Sequence, residues 1–149
     1  KKINNFSDKF LNNVKKCINI GGDHSLSIAT LSSSIYKYGN NIKVLWFDAH
    51  PDINSYEKSK TKNIHGMVLN YITQIGNNDE YNFDFIPKIP LHPSNILYIG
   101  VRDIDNYEKN IIQKYNIQQI SSEDGLISLG KRFFKISIID FVSSTDKVV

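Results

Sequence analysis

The chain has 149 residues, 40% of them hydrophobic and 22% charged, with a formal net charge of +3. That length permits one ordinary domain that buries roughly two-thirds of the surface its unfolded chain exposes. The charge is small and dense only at Lys58, Lys60 and Lys62; a nucleic-acid footprint is normally larger and interleaved with aromatics, so no nucleic-acid partner is expected. No apolar run approaches the roughly 20 residues of a membrane span, and the single cysteine, Cys17, excludes a disulfide framework. The expectation is a soluble, cytoplasmic protein in a reducing compartment. Cys17 itself, next to Ile18, reads as core filler.

In chain order, Phe6 to Lys16 carries apolar residues at 6, 10, 11 and 14, which predicts an amphipathic helix. Cys17 to Ile20 predicts a short strand, broken by Gly21 and Gly22. Leu26 to Tyr38 reads as a helix ended by Gly39. Ile42 to Phe47, apolar apart from Lys43, reads as a strand of the kind buried on both faces of a parallel sheet. The polar stretch from Asn54 to Asn63 reads as a loop, Met67 to Ile75 as a helix, and Asn77 to Pro93 as a proline-bearing connection. A strand over Ile96 to Val101, a helix over Asn106 to Tyr115, and strands over Ile117 to Ile120 and Ile136 to Val142 complete the series. Strand and helix alternate, so the fold class is α/β with a mostly parallel sheet, and in such sheets ligands gather at the carboxyl ends of strands.

Three of the four histidines lie in motifs, the first two at those ends: His24 in Gly21-Gly22-Asp23-His24-Ser25, His50 in Asp48-Ala49-His50-Pro51-Asp52-Ile53-Asn54, and His65, after the polar loop, in Asn63-Ile64-His65-Gly66. If extended backbone continues past Phe47, its period of two puts Asp48, His50 and Asp52 on one face as a ligand comb. Carboxylates mixed with imidazoles suit manganese, iron or zinc better than calcium. A bridging Asp48 would allow two ions about 3.5–4 Å apart, an arrangement that makes water nucleophilic near neutral pH. Taken singly, the same residues have plainer readings. Asp23 and Ser25 flank a helix start and suit capping; Asn54 and Thr61 suit local turn hydrogen bonds. Glu108 suits a helix dipole, and Arg102 suits an ion pair with Asp103 or Asp105. His92, between Leu91 and Pro93, reads as a surface loop residue.

Four motifs in order, the three above and Gly100-Val101-Arg102-Asp103-Ile104-Asp105-Asn106-Tyr107-Glu108, resemble those of the ureohydrolases and, within them, the arginases. The resemblance spans about residues 14 to 120 of what reads as a single partial catalytic domain over 1–149, with 121–149 divergent. It implies a three-layer αβα fold, incomplete here at both ends, and manganese as cofactor. His24, Asp48 and Asp52 resemble the ligands of one manganese, and Asp48 and His50 those of the other. His65 resembles the catalytic histidine that relays protons. Asn54, Thr61, Asp105 and Glu108 resemble the groups that bind the substrate's α-carboxylate and α-amine. The implied reaction is hydrolysis of L-arginine to ornithine and urea, and the implied assembly is a homotrimer.

The chain also departs from the family. The family completes its metal site with Ser-Phe-Asp-x-Asp after a later strand. Here the nearest match is Ser137-Ile138-Ile139-Asp140-Phe141-Val142, with Asp140 at the place of the first aspartate and Val142 at that of the second. The chain begins without methionine and ends without a helix stop, which reads as part of something larger. Two readings follow: an arginase-like amidinohydrolase, or a truncated or degenerate homologue that binds at most a metal ion or an amino acid.

Overall fold

A computed structural model describes residues 16–76, 80–120, 138, 139, 141 and 142. These fall into two compact units, one within Lys1–Asn40 and Asp52–Leu91 and the other within Asn41–Pro51 and His92–Val149. The helix expected over Phe6 to Lys16 lies almost wholly outside the described residues, as does Asp140.

In the first unit, helix α1 spans Leu26–Tyr38 and buries Ile28, Ala29, Leu31 and Ile35. Two of its buried serines satisfy their hydroxyls on the preceding turn: Ser32 Oγ donates to Ile28 O at 2.7 Å and Ser34 Oγ to Thr30 O at 3.0 Å. Gly39 ends the helix at φ 82°, its N–H donating to Ile35 O. Helix α2, Val68–Thr73, is buried at every position and follows a 3-10 turn over Ile64–Met67. It packs against α1.

The second unit holds a parallel three-stranded sheet in the order β1 (Val44–Phe47), β2 (Ile96–Ile99), β3 (Gln118–Ile120). Val44 pairs with Ile96 and Leu97 with Gln118. Helix α3, Asn106–Lys114, connects β2 to β3, the crossover a parallel pair requires. Leu97, Ile99, Ile120 and Phe141 form a buried cluster, with Leu45, Ile138 and Val142 packed on it.

Three expectations are corrected. Residues 17–20 form no strand among the described residues, and Ile18 and Ile20 are 87% and 96% exposed. Strand propensity needs a neighbouring ladder to act on, and among the described residues this stretch has none. Cys17 is accordingly exposed rather than in the core. Ile138, Ile139, Phe141 and Val142 have helical backbone, not extended; Ile138, Phe141 and Val142 join the cluster from outside the ladder, while Ile139 is exposed.

Candidate metal centre

In the first unit, Asp23 opens the turn that leads into α1. Its Oδ1 accepts the Ser25 N–H at 2.9 Å, and its backbone carbonyl accepts the Leu26 N–H. Hydrogen bonding from Ser25, side chain and then backbone, holds the Asp23 carboxyl below its usual range. The expected capping is not made: Asp23 closes a two-residue turn onto the N–H of the N-cap residue Ser25, whose own side chain makes no cap bond. This turn presents His24, whose Nδ1 lies 2.7 Å from Asp52 Oδ2.

Asp52 is only 6% exposed, and its segment is tied to α2. Its carbonyl accepts the Leu69 N–H at 2.8 Å, the Ile53 carbonyl accepts from Asn70 Nδ2 at 3.1 Å, and the Asn54 N–H donates to Gly66 O at 3.1 Å. The buried Asn70 side chain also accepts the Gly76 N–H. At 2.7 Å an imidazole N–H can donate to the buried carboxylate, and a divalent ion could take that proton's place between the same two groups. His65 stands on the 3-10 turn with Nδ1 3.6 Å from Asp23 Oδ2. Asn54 is buried, and Thr61 is exposed in the loop between them.

In the second unit, Asp48 follows β1 directly, and its Oδ1 accepts the His50 N–H at 2.9 Å. The His50 ring lies between two carboxylates, with Nδ1 3.4 Å from Asp48 and Nε2 3.4 Å from Asp103. Trp46 Nε1 donates to His50 O at 3.2 Å and the Tyr98 hydroxyl to Pro51 O at 2.9 Å. The Arg102 and Asp103 N–H groups both donate to Ala49 O. These bonds fix the segment as a turn, not as extended backbone. The alternation expected over Asp48, His50 and Asp52 therefore stops at Phe47, and Asp52 lies in the left-handed region at φ 45°.

At the carboxyl end of β2, Gly100 adopts φ 83°. Asp105 caps α3: its Oδ1 accepts the Glu108 N–H at 2.8 Å while Glu108 Oε2 accepts the Asp105 N–H at 3.2 Å. Both residues expected at the substrate thus form a reciprocal capping box. Arg102 forms no ion pair among the described residues; its Nη1 turns back to Gly100 O, and Asp103 faces His50 instead. His92 caps the turn over Pro93–Asn95, accepting from the Ser94 N–H.

The Asp23–His65 and Asp103–His50 pairs were not foreseen. Nor was an aromatic group in the connection after α2, where Tyr81, Phe83 and Phe85 alternate. Phe83 meets Tyr71 edge-on at 5.2 Å and Tyr81 meets Tyr56 at 5.7 Å. The 81-83-85 alternation was the available signal.

The model of the Arginase family matches residues 1–136. The chain belongs to the arginase family. It is 42% identical over 108 residues to an arginase of Plasmodium berghei, covering 72% of this chain and 30% of that protein. It is 38% identical over 125 residues to an arginase of Staphylococcus aureus strain MRSA252, covering 83% and 39%. Among solved structures, the arginase of Bacillus subtilis superposes with a TM-score of 0.85 at 32% identity, covering 99% of this chain and 50% of that one. The Entamoeba histolytica arginase in complex with L-ornithine gives 0.83 at 31%, covering 99% and 49%. The fold is thus the arginase-like αβα fold, and the chain spans about a third of the curated arginases it matches and half of the solved ones. No helix among the described residues is long and apolar enough to cross a membrane.

Proposed function

We propose that the chain carries the metal-binding core of an arginase, a manganese-dependent amidinohydrolase that converts L-arginine and water to L-ornithine and urea. The observation that carries this reading is the 2.7 Å approach of His24 Nδ1 to the buried Asp52 carboxylate, within motifs that match the family in order. Asp48 and His50 join this pair as metal ligands, giving two carboxylates and two imidazoles, a donor set suited to manganese. A divalent ion held there would acidify a water, supplying the hydroxide that attacks the guanidinium carbon.

The remaining work falls to the chain's own residues. His65, on its 3-10 turn beside Asp23, supplies a proton to the amine that leaves as ornithine. Asn54, Thr61, Asp105 and Glu108 pair with the α-carboxylate and α-ammonium, so that agmatine, which lacks the carboxylate, leaves donors unpaired and reacts poorly. The L-ornithine bound by the Entamoeba histolytica arginase supports an amino-acid ligand. A cytoplasmic homotrimer belongs to the same reading.

Val142 favours a second reading for the 149-residue chain by itself, namely metal binding without turnover. The family places an aspartate there, whereas this side chain packs on an apolar cluster and offers no ligand atom. Urea release from L-arginine separates the two. The assay compares this chain with a version extended by a family tail containing Ser-Phe-Asp-x-Asp, each with and without manganese. Manganese-dependent urea from the extended version supports the arginase reading, and its absence there, with the metal bound, leaves only the second.

A further inference from the structure

Lys62 occupies the left-handed region at φ 60°, a backbone state that disfavours any residue with a Cβ and that glycine adopts freely. Although exposed, its side chain folds back onto the loop. Nζ donates to the carbonyls of Tyr56 and Glu57 and lies 4.8 Å from the centroid of the Tyr56 ring. The Lys62 N–H donates to Ser59 Oγ at 3.1 Å, and Ser59 is buried. The Tyr56 ring in turn meets Tyr81 edge-on, Tyr81 stacks on Phe83 at 6.4 Å, and Phe83 meets Tyr71 of the buried helix α2. An ammonium over a ring gains from the ring's negative face. The loop from Asn54 to Asn63 is thereby closed on itself and anchored, through a run of rings, to α2.

Thr61 stands directly before this staple, its Oγ1 accepting the Asn63 N–H at 3.4 Å. We propose that Lys62 is a positioning residue: its ammonium, seated on Tyr56, holds the Thr61–Asn63 segment in the one conformation that receives an amino acid's α-carboxylate. This rests on the reading of Thr61 as a substrate-binding residue. A strained lysine where glycine would cost nothing is thus explained by what its side chain secures.

The test uses three variants of the chain. Lys62→Met keeps the Cβ and the aliphatic stem but loses the cation, Lys62→Arg keeps the cation, and Lys62→Gly loses both staple and strain. Two readouts are taken: amide hydrogen exchange over residues 59–63, and calorimetric titration of L-ornithine and of putrescine onto the manganese-loaded chain. For Lys62→Met the expected result is exchange at 61 and 63 about tenfold faster and L-ornithine affinity about tenfold lower, with putrescine unchanged and both effects reversed in Lys62→Arg. Lys62→Gly should also lose L-ornithine affinity while keeping thermal stability. Unaltered exchange in Lys62→Met overturns the proposal, and so does faster exchange with unaltered L-ornithine affinity. Failure of the unsubstituted chain to bind L-ornithine overturns the arginase reading and this proposal with it, whereas the exchange data still report whether the staple exists.

Discussion

Asp52 Oδ2 and His24 Nδ1 lie 2.7 Å apart, and the backbone around each is fixed by bonds that do not involve either side chain. The Asp52 carbonyl is held by the Leu69 N–H, and the His24 carbonyl receives the Ser27 N–H at the start of α1. The pair is therefore preorganised, which lowers the entropy a cation must overcome to be bound. Asp52→Asn tests it cleanly, because asparagine tolerates the left-handed conformation that Asp52 adopts. Manganese affinity should fall by at least about 100-fold, the upper end of what losing even an outer-shell partner costs. The circular-dichroism spectrum should stay the same.

The capping box separates two roles of one residue. Asp105→Ala removes the acceptor of the Glu108 N–H and should cost about 1 kcal/mol in urea denaturation. Asp105→Asn retains a capping oxygen, so its stability should stay within about 0.5 kcal/mol of the parent. If Asp105 also pairs with the substrate's α-ammonium, only calorimetry of L-ornithine will register the Asn variant.

Tyr71 makes stability depend on alkaline pH. Its hydroxyl is buried with no hydrogen-bond partner among the described residues. Burial first, and then the charges of Tyr81, Glu80 and Tyr56, push its pKa up to about 12. The unfolded phenol ionises near 10, so between about 10 and 12 the unfolded state has lost a proton that the folded state keeps. Stability therefore falls as pH rises through that window. Tyr71→Phe should remove this part of the slope in denaturation curves taken between pH 9 and 12. Because the hydroxyl is unsatisfied, the substitution should leave neutral-pH stability equal or higher.

Local signals were legible where one physical term dominates. Leu26–Tyr38 has the bounds read from the sequence, since Gly39 ends the helix as a φ of 82° requires. The β2, α3 and β3 segments lie within one or two residues of their expected bounds, because apolar runs and the Asp105–Glu108 box act over short range. The comb over 48–52 supposed extended backbone, which stops at Phe47. Reading it as extended ignored that an aspartate side chain competes for nearby N–H groups, and Asp48 captures that of His50. The pairing of His24 with Asp52 and the seat of Lys62 on Tyr56 join residues 28 and six positions apart. Neither has a periodic signature: His24 and Asp52 were grouped only through the family resemblance, and the seat of Lys62 on Tyr56 was not foreseen. Residues 17–20 failed as a strand for the opposite reason: a local β preference met no ladder.

On the proposed reading, manganese binds through ligands drawn from His24, Asp48, His50 and Asp52. Calorimetric titration of manganese into the purified, chelator-stripped chain, alongside the Asp48→Ala variant, is the decisive measurement. A stoichiometry near one ion per chain is expected, lost in Asp48→Ala. Binding that is indifferent to Asp48→Ala, or no binding at all, would contradict that reading.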